Sequence, residues 1–126
     1  MNPDVGISYW YLAIAELEAG RYDQGFNTVE MAKKKGHSLS ENDMLRLINF
    51  YLKINDFAKT AKIYEDLILL RPGEPQYFAS LAVSYANIGE IDKAVQAAYR
   101  AAELDKNFEA DAKTFIESLG RAYIPR

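Results

Sequence analysis

Cysteine is absent from the 126 residues. That excludes disulfide scaffolds, thiolate zinc or iron–sulfur sites and cysteine nucleophiles. Histidine occurs once, at His37, so any imidazole-dependent catalysis would rest on one residue. Proline and glycine are scarce, at four and seven, and the glycines are isolated, which leaves no glycine-rich loop to cradle a phosphate. Positive charge has no surplus: 15 basic against 18 acidic side chains give −3, which argues against electrostatic binding of nucleic acid. Long hydrophobic runs are missing too. The longest, Tyr9 to Ala15, falls far short of the roughly 20 residues that span a bilayer. The N-terminus carries neither a basic region nor the apolar core of a signal peptide. The chain therefore reads as soluble and without direct membrane insertion, and its compartment stays open between cytoplasm and an exposed part of an envelope or extracellular assembly.

What is present is a helical composition. Apolar residues make up 49% and charged residues 26%, enough to bury a core. Ala, Leu, Glu and Lys, all strong helix formers, are common. The chain also repeats itself. Three segments, 6–40, 41–74 and 75–108, each hold two amphipathic stretches of about a dozen residues separated by a short break. The breaks fall at Gly20, Asn55 and Gly89, residue types that tolerate the left-handed conformation past a helix end. Asp23, Asp56 and Asp92 follow, where a helix N-terminus favours a carboxylate. Ser40 and Asp43 have the spacing of a capping box. In the third segment Leu81, Tyr85, Ile88 and Ile91 are expected to face Ala94, Ala98, Ala101 and Leu104, with Leu12 and Leu47 taking the place of Leu81 in the other two. A final helix is expected over 107–119, with Phe108, Ala112, Phe115, Ile116 and Leu119 on one stripe.

The spacing carries a family pattern. The third segment reads Phe78, Leu81, Ala82, Tyr85, Gly89, Ile91, Ala94, Ala98, Ala101. The second reads Met44, Leu47, Ile48, Tyr51, Phe57, Thr60, Tyr64, Leu67, Pro72, and the first Tyr9, Leu12, Ala13, Gly20, Tyr22, Gly25, Ala32. In these positions the chain resembles the tetratricopeptide repeat. It departs from the pattern at Glu16, where the family prefers Tyr, at Ile48, a normally small site, and at His37 and Lys106, which stand for the terminal proline. The resemblance implies an all-α fold: an α-solenoid of three helical hairpins plus a capping helix (108–119), one domain over 1–126. Asn2-Pro3 matches the tail of a preceding repeat, and the stretch from Ala101 to Gly120 also resembles the tails of envelope polymer ligases of the O-antigen type.

The resemblance further implies a concave groove formed by the first helix of each pair. Its positions are Trp10, Ile14, Leu17, Leu45, Asn49, Leu52, Ala79 and Val83, a mostly apolar strip suited to a peptide or an amphipathic helix of a partner protein. Arg46 is the sole cation among the places that a carboxylate clamp would use, so a clamp for an acidic tail is not expected. The alternative is self-assembly into oligomers or filaments by end-to-end packing, with Tyr9, Trp10, Tyr11, Phe115 and Tyr123 as contacts. Trp10, Tyr11, Tyr77, Tyr99 and Tyr123 are not obvious core positions. His37 reads as an exposed loop residue, Lys33-Lys34-Lys35 as a helix end offsetting its dipole, and the carboxylates after Ala102 as a solvated face. No catalytic residue, metal site or cofactor is expected; the reading is a non-catalytic interaction module.

Overall fold

A computed structural model describes residues 3–126. Met1 and Asn2, and with Asn2 the dipeptide read as a repeat tail, lie outside the described residues. Those residues form seven α-helices and no strand. The chain clusters into two compact units, Met1–Phe50 and Tyr51–Arg126.

The first unit is built on a hairpin of α1 (Pro3–Glu18) and α2 (Tyr22–Lys34). Trp10, Ala13, Ile14 and Leu17 recur at helical spacing on α1 and are buried; α2 contributes Gly25, Val29 and Ala32. The two helices approach closely because Gly25 has no side chain: a Cβ there would lie 2.6 Å from the Leu17 side chain. The turn between them uses Gly20 at φ 81°, with the Arg21 N–H donating to the Glu16 carbonyl at 2.9 Å. The α3 helix (Glu41–Lys53) opens on the expected capping box: Asp43 N–H donates to Ser40 Oγ and Ser40 N–H to Asp43 Oδ2, both at 3.1 Å.

The second unit begins with the last turn of α3 and the break at Asn55, whose φ of 56° is left-handed, as the sequence predicts. Asp56 then caps α4 (Phe57–Leu70) by accepting from the Lys59 N–H at 3.1 Å. The α5 helix (Pro75–Asn87) packs on α4 and on α6 (Ile91–Leu104). The buried face of α6 is almost all alanine, Ala94, Ala97, Ala98 and Ala101, which lets α5 lie close. The α7 helix (Glu109–Ser118) covers the other side of α6, burying Ala112 and Ile116. It starts two residues later than the sequence predicts, because the chain first makes a 3-10 turn at Lys106–Phe108 fastened by Asp105, which accepts from the Asn107 N–H at 2.9 Å. The final residues strap α6: Ile124 N–H donates to the Tyr99 hydroxyl at 2.8 Å and Tyr123 stacks on the Tyr99 ring.

Two expected core residues are not in the core. Leu12 is 51% exposed although its counterparts Leu47 and Leu81 are buried. Leu81 shares a buried cluster with Ala61 of α4, against which Tyr64 and Ile68 also pack. Ile88 is the C-cap of α5 and half-exposed rather than turned into α6.

Candidate functional site

The second unit holds an apolar cleft of about 230 Å³ where three helices converge. Ala79, Ala82 and Val83 of α5 line one side, Ala98 and Ala101 of α6 the floor, and Phe108, Ala112 and Phe115 the other side, with Asp111 at the rim. The cleft exists because the residues beneath it are small: alanines bring α5 and α6 together without filling the space above them. Phe108 ends the 3-10 turn and so meets the mouth instead of continuing along α7. Val83 is 48% exposed and Asp111 is exposed, so the opening carries one aliphatic surface and one negative charge. A cavity of roughly 150 Å³ lined by apolar side chains holds a benzene ring, so this volume admits a branched aliphatic or aromatic side chain.

The expected groove residues are distributed differently. Trp10, Ile14 and Leu17 are buried, at 4%, 6% and 1% exposure, and not part of an exposed strip. The reason is local: Trp10 stacks on His37 at 5.3 Å and Leu17 is seated against Gly25. On α3, Leu45 is half-buried, Asn49 is exposed and Leu52 half-exposed. Of the eight positions, Ala79 and Val83 are the two that line a common cavity. Phe108 and Phe115, the aromatic walls, were expected as cap residues and not as cleft; the signal for them was the run of alanines opposite, which leaves room that something must border. Of the residues expected to mediate self-association, Tyr11 is the most exposed, at 68%. Tyr9 is half-buried, Trp10 is buried, and Phe115 and Tyr123 pack against the core of the second unit. Tyr77 and Tyr99 also turn out buried, Tyr77 with the Tyr64 ring 6.3 Å away and Tyr99 between the stacked Tyr123 ring and the Arg126 guanidinium.

The titratable groups give no catalytic arrangement among the described residues. His37 is not an exposed loop residue: its side chain is largely covered and Nε2 lies 3.0 Å from Asp43 Oδ2, the same oxygen that closes the capping box. Its neighbour Ser38 has no part in that pair. Tyr85 donates to Glu65 of α4, and burial first, then that carboxylate, push its hydroxyl well above the ordinary tyrosine range. Glu16 is buried with its Oε1 lacking a hydrogen-bond partner. Among the described residues no cluster of His, Asp or Glu could hold a metal ion, and no helix is long and apolar enough to cross a membrane.

No family model and no curated protein matches the chain. Solved structures do. The fold is similar to PcrH from Pseudomonas aeruginosa at TM-score 0.60 and 16% identity, covering 95% of both chains. It is similar to PcrH in complex with the chaperone binding region of PopD at TM-score 0.60 and 17% identity, over 95% of this chain and 94% of that one. A mutant of MamA matches at TM-score 0.63 and 19% identity, over 96% of this chain and 70% of that one. The chain thus has the fold of a tetratricopeptide-like helical repeat protein. The likeness of the stretch from Ala101 to Gly120 to envelope polymer ligase tails finds no support among these structures.

Proposed function

We propose that the chain is a non-catalytic protein-binding module whose cleft in the second unit takes an apolar side chain from a peptide or amphipathic helix of a partner. The observation that carries this is the pairing of an open apolar cleft of about 230 Å³ with Val83, a half-exposed aliphatic residue at its mouth. Filling it with one Leu, Val or Phe contributes roughly 1.5–3 kcal/mol, so a useful affinity needs further contacts. Asp111 at the rim favours a Lys or Arg beside the apolar anchor. Leu45 and Asn49 of the first unit are proposed separately, as a ligand contact of their own, with Asn49 bonding to a ligand's backbone. A protein of like fold, PcrH, has been solved with a segment of another protein, which supports this use of the fold.

The test is a peptide array in which one apolar residue is flanked by Lys, titrated against the chain and its Val83→Arg variant. V83R should abolish binding without loss of helicity, since Val83 is half outside the fold. Equal binding by both proteins would remove the cleft from consideration. End-to-end self-association is the second reading. It is favoured by the exposure of Tyr11 and Leu12 on α1, and light scattering against concentration tests it.

A further inference from the structure

Two exposed helix faces, one in each unit, carry opposite charges at matching intervals. On α2, Asp23, Asn27 and Glu30 are exposed and fall at i, i+4 and i+7, one stripe of the helix. On α6, Lys93, Gln96 and Arg100 are exposed, at i, i+3 and i+7. The outer charges of each stripe stand about two turns, or roughly 10.5 Å, apart along the axis. The cations of α6 lie over aromatic rings: Lys93 Nζ is 5.7 Å from the centre of the Tyr85 ring, and the Arg100 guanidinium is 5.9 Å from that of Phe78. Asp23 and Lys93 make no ion pair among the described residues. Glu30 pairs with Lys33 at 3.2 Å and Arg100 with Glu103 at 3.6 Å, each within its own helix. Exposed pairs of this kind are weak and leave both charges able to change partner.

We propose that α2 of one copy of the chain docks antiparallel on α6 of a second copy. The spacings set the direction. Along α2 the steps run four then three; along α6, taken backwards from Arg100, they also run four then three. Antiparallel, Asp23 meets Arg100, Asn27 meets Gln96 and Glu30 meets Lys93 in a single register. Parallel, Asn27 would face Ala97, which is buried. The antiparallel register also continues past the stripes. Lys34 falls one position from Glu90 and Arg21 one position from Glu103, and all four are exposed. Complementary charge of this order selects a partner and fixes its register. The chain itself is that partner, because Asp23 and Glu30 are the sole acidic residues seven positions apart on one described helix. A second basic stripe, Arg46, Asn49 and Lys53 on α3, is already engaged: Arg46 donates to Glu18 at 2.6 Å, and Lys53 has a partner within the chain. The contact joins two different faces and is therefore heterologous. It uses neither the cleft nor the α1 surface at Tyr11 and Leu12.

The test is sedimentation velocity on the whole chain and on two double variants, one with Lys93→Glu and Arg100→Glu, the other with Asp23→Lys and Glu30→Lys. The native chain should associate at concentrations up to about 1 mM in roughly 20 mM salt, and come apart near about 0.5 M, where exposed charges are screened. Each double variant alone should associate at least about tenfold more weakly, because its two faces then carry the same sign. Mixed in equal amounts, the two variants should associate again, since each face of one meets an opposite face of the other. The substituted residues are all exposed, so far-ultraviolet ellipticity should not change. Arg46→Glu with Lys53→Glu alters the net charge as K93E/R100E does and should leave association intact. A native chain that stays monomeric, association untouched by the double variants, or a mixture that stays apart overturns the proposal. So does association lost in R46E/K53E, which would assign α3, in Leu12→Glu, which would assign the end face of α1, or in Val83→Arg, which would assign the cleft.

Discussion

Single residues decide how closely the first unit packs. Gly6 lies on α1 one turn before Trp10, and a Cβ there would sit 2.6 Å from the His37 backbone nitrogen and 3.0 Å from the Lys35 carbonyl oxygen. Backbone cannot step aside as a side-chain tip can. Gly6→Ala should therefore lower stability by about 1–3 kcal/mol, a cost that outweighs the gain of up to about 1 kcal/mol in helix propensity. Denaturant midpoints with unchanged slope would confirm it; a rise in midpoint would contradict it. Tyr85 gives a pH dependence of defined sign. Its hydroxyl stays protonated in the fold far above the ordinary value of 10.0, because burial and Glu65 disfavour the phenolate. The unfolded chain ionises first, so the stability from Tyr85 is fully present below pH 10.0 and is lost as pH rises beyond it. Tyr85→Phe should unfold more easily at neutral pH but lose less on going to about pH 11, read as the shift in urea midpoint.

At the scale of elements, alanine-rich helices are held by a few large anchors. Ile116 of α7 is fully buried among Ala97, Ala98 and Tyr99. Ile116→Ala should cost roughly 2–5 kcal/mol and loosen α7 first, which amide exchange along 109–118 would register ahead of α5. Elements are also where the sequence was most readable. The three breaks at Gly20, Asn55 and Gly89, the Ser40–Asp43 box and the helical pairs follow from local chemistry that needs few distant partners. Burial was less readable, because it depends on what lies across from a residue. Leu12 and Leu81 share a repeat position and differ in exposure, Leu81 lying in a cluster with Ala61 of α4. Trp10 looked like an interface residue, yet His37, 27 positions on, folds over its ring. The cleft was half legible: Ala79 and Val83 come from the family pattern, whereas Phe108 enters through a 3-10 turn that periodicity does not announce.

On the scale of the whole molecule, the division into two compact units has an energetic counterpart. In repeat folds stability is close to a sum over neighbouring elements, so a local defect stays local until the whole array is marginal. Leu17→Ala, which empties a fully buried site in the first unit, should cost about 2–5 kcal/mol. Amide protection should fall more in α1 and α2 than in α5 and α6. An equal fall throughout would mean that the chain unfolds as one cooperative body. The surface ion pairs, Lys33–Glu30, Arg46–Glu18 and Arg121–Asp92, are largely solvent-exposed and contribute little to either unit.

The stacking of Trp10 on His37 has a practical outcome. Trp10 is the sole indole in the chain, and it belongs to the first unit. Excited near 295 nm, where tyrosine scarcely absorbs, the sample emits from that unit alone. The second unit is silent at that wavelength but adds to the far-ultraviolet ellipticity. Recording both signals on one unlabelled sample therefore reads the melting of the first unit apart from the loss of helix in the whole chain.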